Sequence, residues 1–235
     1  MHNERSRMET TVEFVPVSAE TTRSRTMWLA ALAVYVFSIG MILGGILMAP
    51  RDHPTFWFQE HQTLTSYSAA LLYTGSLLCF FNCLAIRQLR SLGMSSVREY
   101  KFWALGSFGF FYLMADEYFV MHEGIGRFFS YRLFHLHHSG QTDRLDAFVV
   151  GAYGAIGLTL LVLHWKDLAN IRWFFGFLTI GAIMAIVSLI FDLREDGVTN
   201  LYIEDGTKIL ANASFLLACF AAAHRYYQQL VVRLR

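Results

Sequence analysis

Residues 101–123, KFWALGSFGFFYLMADEYFVMHE, form an apolar run that ends in three carboxylates and a histidine. The run is long enough to cross a bilayer, which requires about 20 helical residues. Ionisable side chains are costly inside a membrane, so groups of this kind mark a functional site by default. The sequence therefore predicts a membrane helix that carries a polar site near one end, built from Asp116, Glu117, His122 and Glu123.

The rest of the chain is similarly apolar. Of its 235 residues, 55% are hydrophobic and 16% are charged, whereas soluble domains average about 25% charged residues. The formal net charge of +1 argues against a nucleic-acid partner. Three cysteines lie inside apolar runs, where we expect small buried hydrophobic residues and no disulfides: Cys79, Cys83 and Cys219.

Six apolar segments have the length of a membrane-spanning helix. None contains a proline, and they cover residues 28–48, 64–86, 102–123, 147–165, 173–192 and 200–226. The predicted fold class is all-α, an integral membrane bundle of six transmembrane helices. Residues 1–26 are polar and are predicted to form a flexible cytoplasmic tail, and residues 27–235 form the six-helix transmembrane domain. Gly124 is predicted to cap the third helix.

The distribution of lysine and arginine predicts the orientation of the bundle. The N-terminal tail, the second and fourth loops and the C-terminus carry 13 of these residues, and the other loops carry 5. Basic loops stay in the cytoplasm, so we expect both termini there. The chain is then predicted to lie in a bacterial cytoplasmic membrane, with its acidic site near the periplasmic face.

Distant parts of the sequence should meet at that face. The fifth helix ends there at Asp192, and the sixth begins there with three charged residues. We interpret Lys208 as an internal counter-charge for the acids, because a lysine at this depth requires a carboxylate partner. The charged residues of these two helices are Asp192, Glu204, Asp205 and Lys208.

Helical geometry sets which groups of the third helix share one face. In a continuous helix, Asp116 and Glu123 lie about 20° apart, with Glu117 about 100° to one side. His122 lies about 120° to the other side. Asp116 and Glu123 are therefore predicted to share the site, with Glu117 joining from the flank. His122 is predicted to face a neighbouring helix or the membrane interface, and it is kept as a candidate for an additional ligand.

The cluster supports two leading interpretations. In the first, the cluster binds a divalent cation. In the second, it binds and transfers protons, because crowded carboxylates in a low dielectric suit proton transfer. Carboxylates with few histidines favour Ca²⁺, Mn²⁺ or Fe²⁺ over Zn²⁺. The predicted metal ligands are Asp116, Glu117, His122, Glu123, Asp192, Glu204 and Asp205.

Two further interpretations remain open. In the first, the chain is an accessory or structural subunit whose intramembrane charges fix helix packing, with a membrane-protein partner or a second copy of itself beside it in the bilayer. In the second, it is a membrane-embedded, metal-dependent hydrolase or oxidoreductase. No nucleophile motif or catalytic triad is present, so the sequence assigns no catalytic residue.

Two short motifs carry a resemblance. Asp116-Glu117 followed by His122-Glu123 lies late in one helix, and Glu204-Asp205-x-x-Lys208 opens the last one. This pattern resembles uncharacterised bacterial multi-pass membrane proteins that carry an Asp-Glu…His-Glu helix and a later acidic pair followed by Lys or Glu. The resemblance implies a shared site and supplies no activity.

Overall fold

The computed structural model describes residues 17–59, 62–93, 97–129, 139–194 and 197–234. Within these ranges every regular element is helical, which confirms the all-α class. One turn of 3₁₀ helix, Phe56–Phe58, precedes the second helix. The helices are α1 Val17–Met48, α2 Thr63–Ser91, α3 Val97–Phe119, α4 Met121–Phe129, α5 Ser139–Leu163, α6 Trp165–Leu168, α7 Arg172–Asp192 and α8 Val198–Leu234.

Four segments of the described chain are long and apolar enough to cross a membrane. They are Ser24–Met48, Phe56–Ser91, Trp173–Asp192 and Val198–Val232, and they correspond to the first, second, fifth and sixth predicted spans. The apolar part of α5 is shorter, Phe148–Leu163, and the apolar part of α3 is bounded by charged residues at both ends. The helices fit a membrane protein, while the six-helix count and the cytoplasmic termini stay predictions.

Helix α1 begins at Val17, inside the segment predicted as a tail. Residues 1–16 of that predicted tail lie outside the described residues. Only 17% of the apolar window of α1 is buried against the rest of the chain. Most of this helix is therefore available to face lipid.

The long helix α8 is the centre of the bundle and packs against α7, α2 and α1, while α3 packs on α2. The contact with α7 depends on Gly181. A Cβ atom there would lie 2.6 Å from Phe215 Cε1 and 3.2 Å from the Ala211 carbonyl oxygen. By contrast, a Cβ at Gly176, five residues earlier in α7, would meet nothing within 4 Å. The absence of a side chain at Gly181 thus sets the spacing of the two helices.

One face of α8 carries polar side chains at intervals of seven residues, at Asp205, Asn212, Cys219 and Tyr226. Residues seven apart lie on the same side of a helix. The Asn212 amide donates to the hydroxyl of Ser68 on α2 at 2.8 Å. These buried polar groups fix the register of α8 against its neighbours.

At the opposite end from Asp205, the bundle is closed by aromatic side chains. The indole N–H of Trp103, from α3, donates to the Tyr226 hydroxyl at 3.1 Å. Phe174, from α7, packs edge-on against the same indole. The two ends of the bundle therefore differ in chemistry, one acidic and one aromatic.

Candidate functional site

An interruption of the helix at Val120 separates α3 from α4. Val120, between the two helices, has a φ angle of 55°. This is the left-handed region, which β-branched residues rarely adopt. The prediction of one helix through Glu123, capped by Gly124, is wrong, because the helix ends at Phe119 and Gly124 lies inside α4.

The break brings His122 back to Asp116. The imidazole Nδ1 lies 2.9 Å from Asp116 Oδ2, although a continuous helix would place the two side chains about 120° apart. The prediction that His122 faces a neighbouring helix is therefore wrong. Burial alone would lower the pKa of His122, but the hydrogen bond and the charge of Asp116 outweigh it and hold that pKa above its ordinary value. His122 lies in α4, outside the candidate membrane spans.

Lys208 links α8 to α3. Its ammonium nitrogen lies 3.1 Å from Asp205 Oδ1, three residues earlier in α8. The same nitrogen lies 3.5 Å from Glu117 Oε1. The two carboxylate side chains are 12% and 11% exposed, respectively, so Lys208 compensates charge on two mostly buried acids.

The remaining predicted acids lie around this pair of contacts. Glu204 is close enough to Asp205, Lys208, Asp192 and Glu117 to interact with all four electrostatically. Glu123 likewise acts on His122. Groups from α3, α4, α7 and α8 thus gather at one end of the bundle.

Two oxygen atoms in this cluster lack a hydrogen bond. Asp116 Oδ1 and Glu117 Oε1 are both buried, and neither has a hydrogen-bond partner within the part of the chain that the structure describes. A buried polar atom without a partner costs about 1–3 kcal/mol. Glu117 Oε1 already lies 3.5 Å from the Lys208 ammonium nitrogen, so Asp116 Oδ1 is the atom at which the site favours a hydrogen-bond donor or a positive charge.

A family model described as a domain of unknown function, DUF8692, matches residues 27–223. The chain belongs to this family. The matched range includes every charged residue of the site, from Asp116 on α3 to Lys208 on α8. No curated protein and no solved structure matches the chain. The resemblance to bacterial multi-pass membrane proteins stays a prediction.

Three acids of this DUF8692 domain pair with bases: Asp116 with His122, and Glu117 and Asp205 with Lys208. Among residues 17–59, 62–93, 97–129, 139–194 and 197–234, no group of three or more His, Cys, Asp or Glu side chains is arranged to hold a metal ion. The divalent-cation interpretation gains no support from this geometry and stays a prediction.

Sequence reasoning missed the Asp116–His122 pair of the DUF8692 domain because it assumed a continuous helix. Residues 117–121 contain neither glycine nor proline, the usual signals of a break. An unsignalled break at Val120 could not be found from local sequence. A valine in the left-handed region persists only where the surrounding structure holds it there.

Proposed function

We propose that this chain is a multi-pass membrane protein whose Asp116–His122 pair binds and releases a proton near one face of the membrane. The proposal rests on one observation, the burial and the incomplete hydrogen bonding of the Asp116 carboxylate. Its side chain is 8% exposed, one carboxylate oxygen contacts His122, and the other has no hydrogen-bond partner among the described residues. A proton or a donating water molecule would satisfy that second oxygen.

Histidine is suited to exchange this proton with the surroundings. The His122 side chain is 24% exposed, three times as much as that of Asp116. Imidazole also changes charge closer to neutral pH than other unperturbed side chains. We therefore assign His122 as the group that binds and releases the proton, and Asp116 as the carboxylate that holds the imidazole in place.

Lys208 distinguishes two of the neighbouring acids from Asp116. Its ammonium group lies between Glu117 and Asp205, and breaking such a pair would leave a mostly buried carboxylate uncompensated. Asp116 instead contacts the imidazole of His122, a base that changes charge near neutral pH.

The proposal extends to location. The distribution of Lys and Arg supports cytoplasmic termini and a site at the opposite face, and the proposed location is a bacterial cytoplasmic membrane with the site near its periplasmic face. Exposed apolar faces on the candidate spans support contact with the lipid bilayer, for example Leu32 and Phe37 on α1 and Ile183 and Ile186 on α7. The α3 and α5 helices complete a six-helix bundle in this proposal.

Histidine NMR tests the proton site directly. The purified full chain is labelled with ¹⁵N-histidine and titrated, and the signal of His122 among the nine histidines is assigned with His122→Gln. We expect this imidazole to titrate above its ordinary pKa and Asp116→Asn to lower that pKa. Asp167→Asn is the matched control, since it removes the acid 3.6 Å from His164 and should leave His122 unchanged.

Two results would overturn the proton site. His122 could titrate at its ordinary pKa, or Asp116→Asn could leave its titration unchanged. A complementary measurement is the infrared difference spectrum between acidic and alkaline buffer. The band of the protonated imidazole that His122 contributes should disappear in His122→Gln and persist in Asp167→Asn.

A structural role is the second candidate, favoured by the pairing of Lys208 with Glu117 and Asp205 across two helices. In this case the charges fix the packing of α3 on α8 in an accessory subunit. The neutral triple variant Glu117→Gln/Asp205→Asn/Lys208→Met would then lose stability or partner binding. Asp116→Asn would alter stability without any change in proton binding.

The divalent-cation interpretation is tested by elemental analysis of the purified protein without added metal. A metal present in stoichiometric amount and lost in Asp116→Asn/Glu123→Gln would replace the proton site by a metal site. The identity of that metal would separate redox from hydrolytic chemistry. A chain that holds no metal would leave the proton site and the structural role, which the titration of His122 separates.

A further inference from the structure

Two buried cysteines from different helices lie in contact. Cys79 Sγ on α2 is 3.4 Å from Cys219 Sγ on α8. A disulfide has a sulfur–sulfur distance of about 2.05 Å, so the two sulfurs need to approach by about 1.4 Å. The residues are 1% and 2% exposed, and each lies near the middle of a candidate membrane span.

The packing around this pair holds the two sulfurs at one level. The Asn82 side-chain amide donates to the Cys219 carbonyl oxygen at 3.2 Å, which fixes α8 against α2. Ala218 and Ala222, on either side of Cys219, are almost fully buried, and their small side chains allow the helices to approach. Gly106 of α3 lies beside the Cys79 sulfur, and a Cβ there would make an ordinary van der Waals contact with it at 3.5 Å.

The third cysteine provides an internal comparison. Cys83 lies one turn after Cys79 on α2, in the same buried cluster. Its sulfur contacts the Tyr100 carbonyl oxygen on α3 at 3.9 Å. Cys83 therefore shares the environment of the pair but is directed to a different helix.

We propose that Cys79 and Cys219 are a redox-active pair that forms a disulfide between α2 and α8 inside the membrane. In this step the two S–H bonds break and one S–S bond forms, with the release of two protons and two electrons. A lipid-soluble quinone accepts both and becomes the quinol. Both cysteines lie within candidate membrane spans, at a depth where polar oxidants partition poorly, so the oxidant named in this proposal is one that dissolves in the bilayer.

The disulfide would act on the bundle by joining its central helix to α2. It restrains sliding and rotation of α8 relative to α2, because a disulfide tolerates only a narrow range of distances between its two residues. The same α8 carries Lys208 and Asp205 at its acidic end. The proposal is independent of the proton site and stands or falls on the thiol chemistry alone.

The test uses membranes that contain the full chain, treated with duroquinone, whose fully substituted ring leaves no open position for thiol addition. The protein is then denatured, alkylated and analysed by mass spectrometry. We expect the wild type to lose two alkylatable thiols and to yield a peptide pair linked through Cys79 and Cys219. Cys83 should remain alkylated, and a reductant should restore all three thiols.

The variants separate this pair from general oxidation. Cys83→Ser should form the same linked peptide, whereas Cys79→Ser and Cys219→Ser should form none. Three alkylated thiols in the treated wild type would overturn the proposal, and so would a link through Cys83 or between two chains. The wild-type result decides the question even if a serine variant fails to fold.

Discussion

Replacement of Val120 by glycine should stabilise the protein, although glycine usually weakens a helical protein. Val120 has a φ angle of 55°, and the left-handed conformation costs an L-residue about 1–2 kcal/mol. Glycine adopts it without that cost and loses about 0.5–1 kcal/mol through its greater freedom in the unfolded chain. The expected net gain is about 1 kcal/mol for Val120→Gly.

Val36→Gly is the matched control. Val36 lies within α1 and is 59% exposed, so the same substitution there removes helix propensity without relieving strain. It should destabilise the protein by about 0.5 kcal/mol. The two substitutions are therefore expected to change the free energy of unfolding in opposite directions.

The assay is unfolding of the purified chain by sodium dodecyl sulfate in mixed micelles, followed by circular dichroism. NMR titration of the same samples should show that Val120→Gly retains the raised pKa of His122, because glycine keeps the turn that brings the imidazole to Asp116. A loss of stability in Val120→Gly equal to or larger than that in Val36→Gly would refute the left-handed conformation. Loss of the raised pKa in Val120→Gly would refute the role of the turn.

Three further substitutions test packing and charge. Gly181→Ala should lower the free energy of unfolding by about 1–3 kcal/mol, because the added methyl group overpacks α7 on α8. Gly176→Ala, with open space around its Cβ, should be neutral in the same unfolding assay, and equal effects of the two substitutions would contradict the close approach of the helices. Lys208→Met should lower the free energy of unfolding by about 1–3 kcal/mol, between the values for exposed and buried ion pairs, because Lys208 is 35% exposed. Asp205→Asn in the same chain should restore part of that loss, and a double variant no more stable than Lys208→Met would argue against the pair. The pKa of His122 is raised in the folded protein. Its contribution to the free energy of unfolding should therefore be complete below about pH 6.5 and lost as pH rises through the folded pKa. If the stability of His122→Gln had the same pH dependence as that of the wild type, this prediction would be contradicted.

Sequence patterns were sufficient for α7, an apolar helix with charged residues at both ends. The fifth predicted span, residues 173–192, corresponds to α7, Arg172–Asp192. An apolar run of this length has only one regular structure that satisfies its backbone in lipid, and charged residues mark where it leaves the bilayer. The prediction of α3 failed at Val120, where no residue type signals a break.

The sequence by itself determined the all-helical class, the apolar segments and the set of charged residues available for a site. Tertiary structure decided which of them meet: His122 with Asp116 after the turn at Val120, Lys208 with Glu117 across two helices, and Cys79 with Cys219. The physical reason is that helix periodicity fixes angles only within one helix. Contacts between helices depend on packing and register, which are set by many weak interactions among residues distant in the chain.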